Sequence, residues 1–345
     1  MDLSPLLSGN QLSSLMQTIR QSKRIVICAH RSPDGDAVGS SLGLADYLQT
    51  LGKQVQVVLP NPFPDFLRWM PGSHLVQFYI HHERQATRII DQADLIVCLD
   101  FSQPGRLQEM SVAVQRAKAE KVVIDHHLDP DLKLGSQVYC FPNLSSTCEA
   151  VFRIICQLGG FDSLSKAGAI CLYTGMMTDT GGFTYNSSRP EIFEIISMLL
   201  TKGFDKDKIY RNVFHVFSID RLRLTGYILY EKLLFFAQGK ASVFTLSREE
   251  MQRFHFIRGD AEGLVNMPLQ VKGMRLSISL REDTERDVVR VSLRSTDDFP
   301  CNRMAEEFFN GGGHLNASGG ELPFPLSEAV KTAERAIEAY RDMLG

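Results

Sequence analysis

The sequence predicts an α/β protein in two parts, a doubly wound parallel sheet followed by a smaller α/β domain. Three observations predict it. Short apolar runs alternate with helix-period segments through the first half, several of those runs end in Asp or His, and past residue 237 the pattern changes to β-branched alternation followed by amphipathic helix. A chain of 345 residues also exceeds what one hydrophobic core commonly organises.

The runs RIVICAH (24–30), QVQVVLP (54–60), DLIVCLD (94–100) and KVVIDHH (121–127) read as strands buried on both faces. Segments 37–51 and 106–119 between them read as helices, so the connections are of the βαβ kind and ligands are expected at the carboxyl ends of the strands. SSTCEAVFRII opens with capping-box spacing, Ser146 to Glu149, and a second helix, KAGAICLYTGMM, runs to Met177. Helical segments near 190–203 and 217–236 form a mostly α connection. The strands KASVFTL, MRLSISLR and RVSLRS follow, then a helix, a glycine cluster at 311–313 and a terminal helix through SEAVKTAERAIEAYRDML. This divides the chain into 1–190, a helical linker 191–236, and 237–345.

Apolar residues at 44% and charged residues at 22% are ordinary globular values. Lys and Arg number 37 against 40 Asp and Glu, a net charge of −3, which argues against a protein that coats long duplex DNA or an anionic membrane. Seven cysteines without a CxxC, mostly among apolar neighbours, read as reduced buried thiols. The N-terminus lacks the apolar core of a leader, and no segment approaches the roughly 18 uninterrupted apolar residues of a membrane span, so a cytoplasmic location is expected.

In CAHRSPDGDAVGSSLG (28–43), His30, Asp34 and Asp36 fall on a strand tip and the loop after it. One Asp before a helix is an ordinary N-cap. Capping accounts for neither His30 nor the second Asp. An EF-hand fails, because the twelfth position counted from Asp34 is Ala45 where Glu is required. A Walker A loop fails for want of G-x(4)-G-K-[ST]. The placement recurs: Asp100 ends one predicted strand and Asp125, His126 and His127 end another, while Asp179, in GMMTDTGGF, is expected in a loop just after a helix. Four carboxylates gathered with two or three imidazoles would repel and raise one another's pKa values unless cations intervene. Two divalent ions would cancel that charge. The oxygen-rich set with some imidazole suits Mn²⁺, with Mg²⁺, Co²⁺ or Zn²⁺ as alternatives. Such a pair lowers the pKa of a bridging water and clamps phosphoryl oxygens, so hydrolysis of a phosphate ester is the expected chemistry.

The stretches AHRSPDGDAVGSSLGL, LDFSQPGRL, VVIDHH, SSTCEAV, TDTGGFTY and FFNGGGHLNASG resemble, in order, the motifs of the DHH-DHHA1 phosphoesterase family, over roughly residues 20–320. Within it the length is similar to the nano-RNase and pAp-phosphatase branch. The resemblance implies a DHH domain, a DHHA1 domain and an active site in the cleft between them. It implies that His30 and Asp34 hold one metal, that Asp36, His126 and Asp179 hold the other, and that Asp100 bridges both. His127 would face the scissile phosphate as hydrogen-bond donor or general acid, with Asp125 orienting it. In the second domain Arg294 and Ser295 match a phosphate- and nucleotide-contacting strand end, and an Arg there offers bidentate phosphate recognition. Gly311, Gly312 and Gly313 are expected to form an anion-binding nest beside His314. The substrates implied are RNA oligonucleotides a few nucleotides long, dinucleotides and adenosine 3′,5′-bisphosphate, with a soluble cyclic-di-AMP or linear dinucleotide phosphodiesterase as the alternative. A homodimer is the family-like state.

Other features have plainer readings. His81 and His82 follow no apolar strand ending in Asp and read as solvated surface. Phe66 and Trp69 read as local core, and so do Leu222, Leu229 and Leu233 on the linking helix, a dimer contact being the second choice.

Overall fold

The computed structural model describes residues 3–215, 217–257 and 259–345. Two compact units divide the chain between residues 216 and 217. The segment 191–236, expected as a linker, is therefore shared between them.

The first unit is built on six parallel strands: β1 (Arg24–Ala29), β2 (Gln54–Leu59), β3 (Gln77–Phe78), β4 (Leu95–Leu99), β5 (Glu120–Asp125) and β6 (Gln137–Cys140), in the order β3-β2-β1-β4-β5-β6. The four expected strands are all present. The two that the sequence concealed are the edges, where β3 is two residues long and β6 is only partly buried. Along β1 side chains alternate between two cores. Ile25, Ile27 and Ala29 face one, and Val26 and Cys28 face the other with Ala86 and Ile90 of α3 (Glu83–Asp91) and Ala113 and Val114 of α4 (Ser111–Arg116). The helix expected over 106–119 is instead a 3₁₀ segment, Pro104–Met110, leading into α4, because Gln108 takes a left-handed φ of 52°. On the first face lie α2 (Gly35–Thr50), α5 (Thr147–Gln157) and α6 (Lys166–Asp179), with α1 (Gly9–Gln21), α7 (Pro190–Leu200) and α8 (Lys206–Phe214) adding Leu15, Ile195 and Val213 to the same core.

The glycines of the opening stretch have a packing role. Gly35, Gly39 and Gly43 share one face of α2 at i, i+4 spacing and meet α6 there. A Cβ on Gly39 would lie 2.6 Å from the Cys171 carbonyl oxygen, and one on Gly43 would lie 2.6 Å from the Leu172 side chain. From the other side, a Cβ on Gly175 would lie 2.2 Å from the Cys148 sulfur and 3.2 Å from the Asp36 Cα. The seam brings the N-terminus of α2 against the C-terminus of α6.

In the second unit, α9 (Ile219–Tyr227) runs into a π turn over Ile228–Lys232 and β7 (Leu234–Phe236). The sheet continues with β8 (Ala241–Leu246), β9 (Leu276–Glu282), β10 (Val288–Ser295), β11 (Gly312–His314) and β12 (Ala317–Pro323), ordered β11-β12-β10-β9-β8-β7 and antiparallel except for β8 with β9. Val243, Ile278, Val291 and Leu293 pack beneath α11 (Cys301–Phe308) and α12 (Leu326–Ala339). Phe244 and Leu246 meet Leu224, Ile228 and Met251 of α10 (Arg248–Arg253) on the other face. Leu222 and Leu229 do not fill the core as expected: they are 69% and 36% exposed, and Leu224 and Ile228, one turn apart, take that place. Leu233 is partly buried against that core, as are Phe66 and Trp69 in the first unit, and His81 and His82 lie at the surface. All seven cysteines are free thiols, and no described helix is long and apolar enough to cross a membrane.

Gly39→Ala should destabilise the protein by about 1–3 kcal/mol through overpacking at the α2–α6 seam. Gly9→Ala, where nothing lies within 4 Å of the added carbon, should be neutral or better. Urea denaturation of both variants checks this.

Candidate active site

Strand order reverses direction at β1 and β4, which makes their carboxyl ends a topological switch point. His30 follows β1, Asp100 follows β4 and Asp125 ends β5. Asp100 sits at φ +62°, a left-handed conformation that costs a non-glycine residue about 1–3 kcal/mol and persists only where the surroundings enforce it.

Asp34 caps α2 with one carboxylate oxygen and turns the other toward His30. Its Oδ1 accepts the Asp36 and Ala37 amides, each at 3.0 Å, as the N-cap of α2, while its Oδ2 lies 3.8 Å from His30 Nε2. His30 Nδ1 donates to the Arg31 carbonyl at 2.8 Å, so Nε2 is the nitrogen turned to the carboxylates, 3.3 Å from Asp100 Oδ2. His126 Nε2 lies 3.8 Å from Asp36 Oδ2, 3.5 Å from Asp100 Oδ1 and 3.6 Å from Asp179 Oδ2. Asp179 is the last residue of α6 rather than part of a loop beyond it, because the helix continues through Thr178.

Three sets of donor atoms result, each within 4.8 Å of one another: His30, Asp34 and Asp100; Asp36, His126 and Asp179; and Asp100, His126 and His127. In the third set His127 Nδ1 already donates to Asp125 Oδ1 at 2.8 Å, and Asp125 also accepts the His126 and His127 amides. Asp125 is buried and bonded to His127, the residue it is expected to orient.

Thr147, assigned no role from the sequence, contacts two of the clustered carboxylates. The N-terminus of α5 points at the acidic cluster: the Thr147 amide donates to Asp36 Oδ2 at 2.6 Å and the Cys148 amide to Asp36 Oδ1 at 2.8 Å. The Thr147 hydroxyl donates to Asp100 Oδ1 at 3.0 Å. Ser146 caps α5 as its spacing implied, but the Glu149 carboxylate bonds the Ser145 amide and hydroxyl, Arg153 and Arg189 instead of closing the box.

Without cations the cluster is held together by protons. Burial, then repulsion from Asp100, pushes Asp36 up to about 7. Burial and Asp36 push Asp179 well above the carboxylate range. Burial opposes the charged form of Asp100 as well, but the His30 hydrogen bond and the charges of His30, His126 and His127 outweigh it and hold Asp100 well below that range. Burial likewise opposes charge on His30, and its bond to Asp100 with the charges of Asp34 and Asp100 lifts it to about 9. A set of acids and imidazoles that must retain protons to coexist fits the loading of divalent cations in their place.

In the second unit Arg294 donates only to the Leu293 carbonyl, at 2.9 Å, and among the described residues no carboxylate pairs with it. Arg290, two residues before Ser292 on the same strand, is paired with both Asp283 and Glu321. Ser295 is committed to the fold: it is buried, its hydroxyl donates to the Phe299 carbonyl at 2.8 Å, and it accepts from Asn316 at 2.9 Å. The expected open nest at 311–313 is a strand. Gly311 N–H caps Ala305, and Gly312, Gly313 and His314 pair with β12. A Cβ on Gly311 would lie 1.8 Å from the Gly319 oxygen, so this glycine serves backbone packing. His314 remains exposed.

Comparison with known proteins agrees with this architecture. Residues 24–176 match the DHH family, N-terminal domain, and residues 243–340 match the DHHA1 domain. A crystal structure of an exopolyphosphatase-related protein from Bacteroides fragilis superposes with a TM-score of 0.96 at 48% identity, covering 99% of each chain. The bifunctional oligoribonuclease and PAP phosphatase NrnA of Thermus thermophilus is 29% identical over 329 residues, 93% of this chain and 90% of that one. The cyclic-di-AMP phosphodiesterase PdeA of Listeria monocytogenes is 27% identical over 95% of this chain, which spans 49% of that protein. Fold and site together define a hydrolase of the phosphoesterase class. The chain belongs to the DHH family, with a DHHA1 domain in its second unit.

Two outcomes are expected. In chelator, the folded chain keeps protons on Asp36 (about 7 against an ordinary 3.8) and His30 (about 9 against 6.5) that the unfolded chain releases, so their contributions to stability should be lost as pH rises, that of Asp36 between about 4 and 7 and that of His30 between about 6.5 and 9. Added Mn²⁺, which binds the deprotonated forms, should raise the melting temperature most at the alkaline end; thermal scans across pH check the sign. Thr147→Val should weaken Mn²⁺ binding by about 10–100-fold in calorimetry, since it frees an Asp100 oxygen that the hydroxyl now fixes.

Proposed function

We propose that the protein is a metal-dependent phosphodiesterase that removes mononucleotides from RNA a few nucleotides long and also takes the 3′-phosphate from adenosine 3′,5′-bisphosphate. The observation that carries the chemistry is the pair of donor sets, one around His30 and one around His126, with Asp100 reaching into both. The likeness to the Thermus oligoribonuclease over 90% of its length supports the substrate class.

His30, Asp34 and Asp100 would hold one divalent cation, and Asp36, His126, Asp179 and Asp100 the other, Mn²⁺ being the first choice and Mg²⁺ or Co²⁺ alternatives. Bound there, the ions supply a more acidic water and neutralise phosphoryl charge. The protein's own groups do the rest. Asp125 holds His127 through Nδ1, so Nε2 is the atom that passes a proton to the leaving oxygen. The α5 N-terminus and Thr147 keep Asp36 and Asp100 in place before substrate arrives. Arg294, the strand end beside it at Ser295, and His314 next to Gly311, Gly312 and Gly313 would bind substrate phosphate and nucleotide, with Arg294 as the charged contact.

A competing reading, hydrolysis of a cyclic dinucleotide, rests on the likeness to PdeA. One assay with Mn²⁺ separates them: a diribonucleotide, a pentanucleotide, a long single strand, adenosine 3′,5′-bisphosphate and cyclic-di-AMP offered side by side. Fast cleavage of the short RNAs with a slow long strand is expected. Preference for the cyclic substrate would favour the competitor. Asp100→Ala and His126→Ala should remain folded and fall to background, and robust turnover by either would sink the metal-site assignment.

A further inference from the structure

The loop after β4 is strapped down on both sides. Toward β1, the Arg31 amide donates to the Arg106 carbonyl at 2.8 Å, and the Arg31 guanidinium reaches Gln108 Oε1 at 2.9 Å and pairs with Glu109 at 3.5 Å. Toward β5, Gln103 Nε2 donates to the Asp129 carbonyl and the Asp131 amide to the Ser102 carbonyl, each at 3.1 Å. Arg31 directly follows His30, and Asp129 lies just past His127. Because β4 runs between β1 and β5, the segment that carries Arg106 bridges the two loops that carry those imidazoles.

Arg106 itself is exposed, and among the described residues no carboxylate lies within ion-pair reach of it: Glu109 is taken by Arg31, and Asp34 and Asp100 by His30. The cluster nonetheless feels its charge. Burial and the Arg106 guanidinium both oppose protonation of His30 and of His127, although the carboxylates around the two rings outweigh them. His30 lies 3.3 Å from one oxygen of Asp100 and His127 lies 3.7 Å from the other, so Arg106 acts on both flanks of that carboxylate. Most exposed arginines are merely solvated. The strapped backbone and the charge that reaches two imidazoles of the cluster set this one apart.

We propose that Arg106 is a phosphate contact of the first unit, its guanidinium binding the substrate phosphate at the edge of the acidic cluster. This deepens the phosphodiesterase reading above and rests on it for the nature of the substrate. Asp34, Asp36, Asp100 and Asp179 would balance two divalent cations, so the loaded cluster keeps little net charge with which to draw in an anion, and an arginine without a counterion supplies it. Its planar fork offers two parallel N–H donors to phosphoryl oxygens, where a lysine offers a point charge.

The test reads binding apart from turnover. Calorimetry of the Mn²⁺-loaded chain with inorganic phosphate is compared for the wild type, Arg106→Ala and Arg106→Lys, with Mn²⁺ affinity and melting temperature measured alongside. Arg106→Ala should bind phosphate about 10–100-fold more weakly, and Arg106→Lys, which keeps the charge and loses the fork, should recover part of that loss. Mn²⁺ affinity and melting temperature should not fall, since the backbone carbonyl that the Arg31 amide holds survives either substitution. With a diribonucleotide, kcat/KM should drop by a factor similar to the loss of phosphate affinity. Phosphate binding by Arg106→Ala as tight as the wild type's, no phosphate binding by the wild type, or a loss matched by lost Mn²⁺ affinity would overturn the contact. Phosphate affinity that depends on Arg106 in a protein that cleaves neither the diribonucleotide nor adenosine 3′,5′-bisphosphate would uphold the contact and overturn the substrate assignment instead.

Discussion

Helices α2 and α6 approach so closely that a Cβ on the glycines of the seam would collide with the facing helix, and the acidic site depends on that approach. Gly35, Gly39 and Gly43 on one side and Gly175 on the other leave no room for a Cβ, so the start of α2 and the end of α6 are held at backbone distance. Asp36 and Asp179 occupy those two ends. Two carboxylates thus meet His126 because of packing forces that have no electrostatic component, and the electrostatic cost is left for other elements to offset. The first turn of α5 offsets part of it. Its two amides and the positive end of its dipole face Asp36, and the Thr147 hydroxyl reaches Asp100.

The remaining imbalance sorts the carboxylates. Asp100 lies among three imidazoles and is held strongly ionised, whereas Asp36 and Asp179 lie against other carboxylates and are pushed toward the neutral form. Burial favours the neutral form of all three, and their neighbours overturn that at Asp100 and add to it at Asp36 and Asp179. The ionised Asp100 also belongs to two of the three donor sets, the one with His30 and the one with His126 and His127, and its left-handed backbone shows that its position is enforced by the fold. A cation entering the set around His30 would meet that carboxylate already charged.

Much of this was legible in the sequence because strands buried on both faces leave few places for polar residues. Asp and His at the ends of such runs are conspicuous, and His30, Asp100 and Asp125 follow directly. Asp34 has an ordinary capping explanation, but a carboxylate has two oxygens, and while one caps α2 the other is left facing His30. Thr147 was hidden because a hydroxyl in an S-S-T run near a helix start has an ordinary capping explanation, and the partner that gives it another lies 47 residues away. The glycines misled in the second unit, where they suggest a nest and Gly312 and Gly313 instead pair in a strand against β12; in the first, Gly39 and Gly43 fall inside an expected helix without announcing the seam they form. Glycine marks close approach of a backbone, and the sequence does not say to what.

That distinction bears on the nucleotide contact proposed for the second unit. With Gly311 N–H bonded to Ala305 and Ser295 bonded to Phe299 and Asn316, backbone amides and the hydroxyl are committed to holding strand ends together. Arg294 is different: its cross-strand neighbours are Ser277 and Ala317, neither of which can neutralise a guanidinium, while Arg290 on the same strand sits between two carboxylates. Among the described residues no carboxylate neutralises Arg294, so its guanidinium is available to an anion. Recognition through one charge, with few directional hydrogen bonds beside it, would read a phosphate and be indifferent to the base attached.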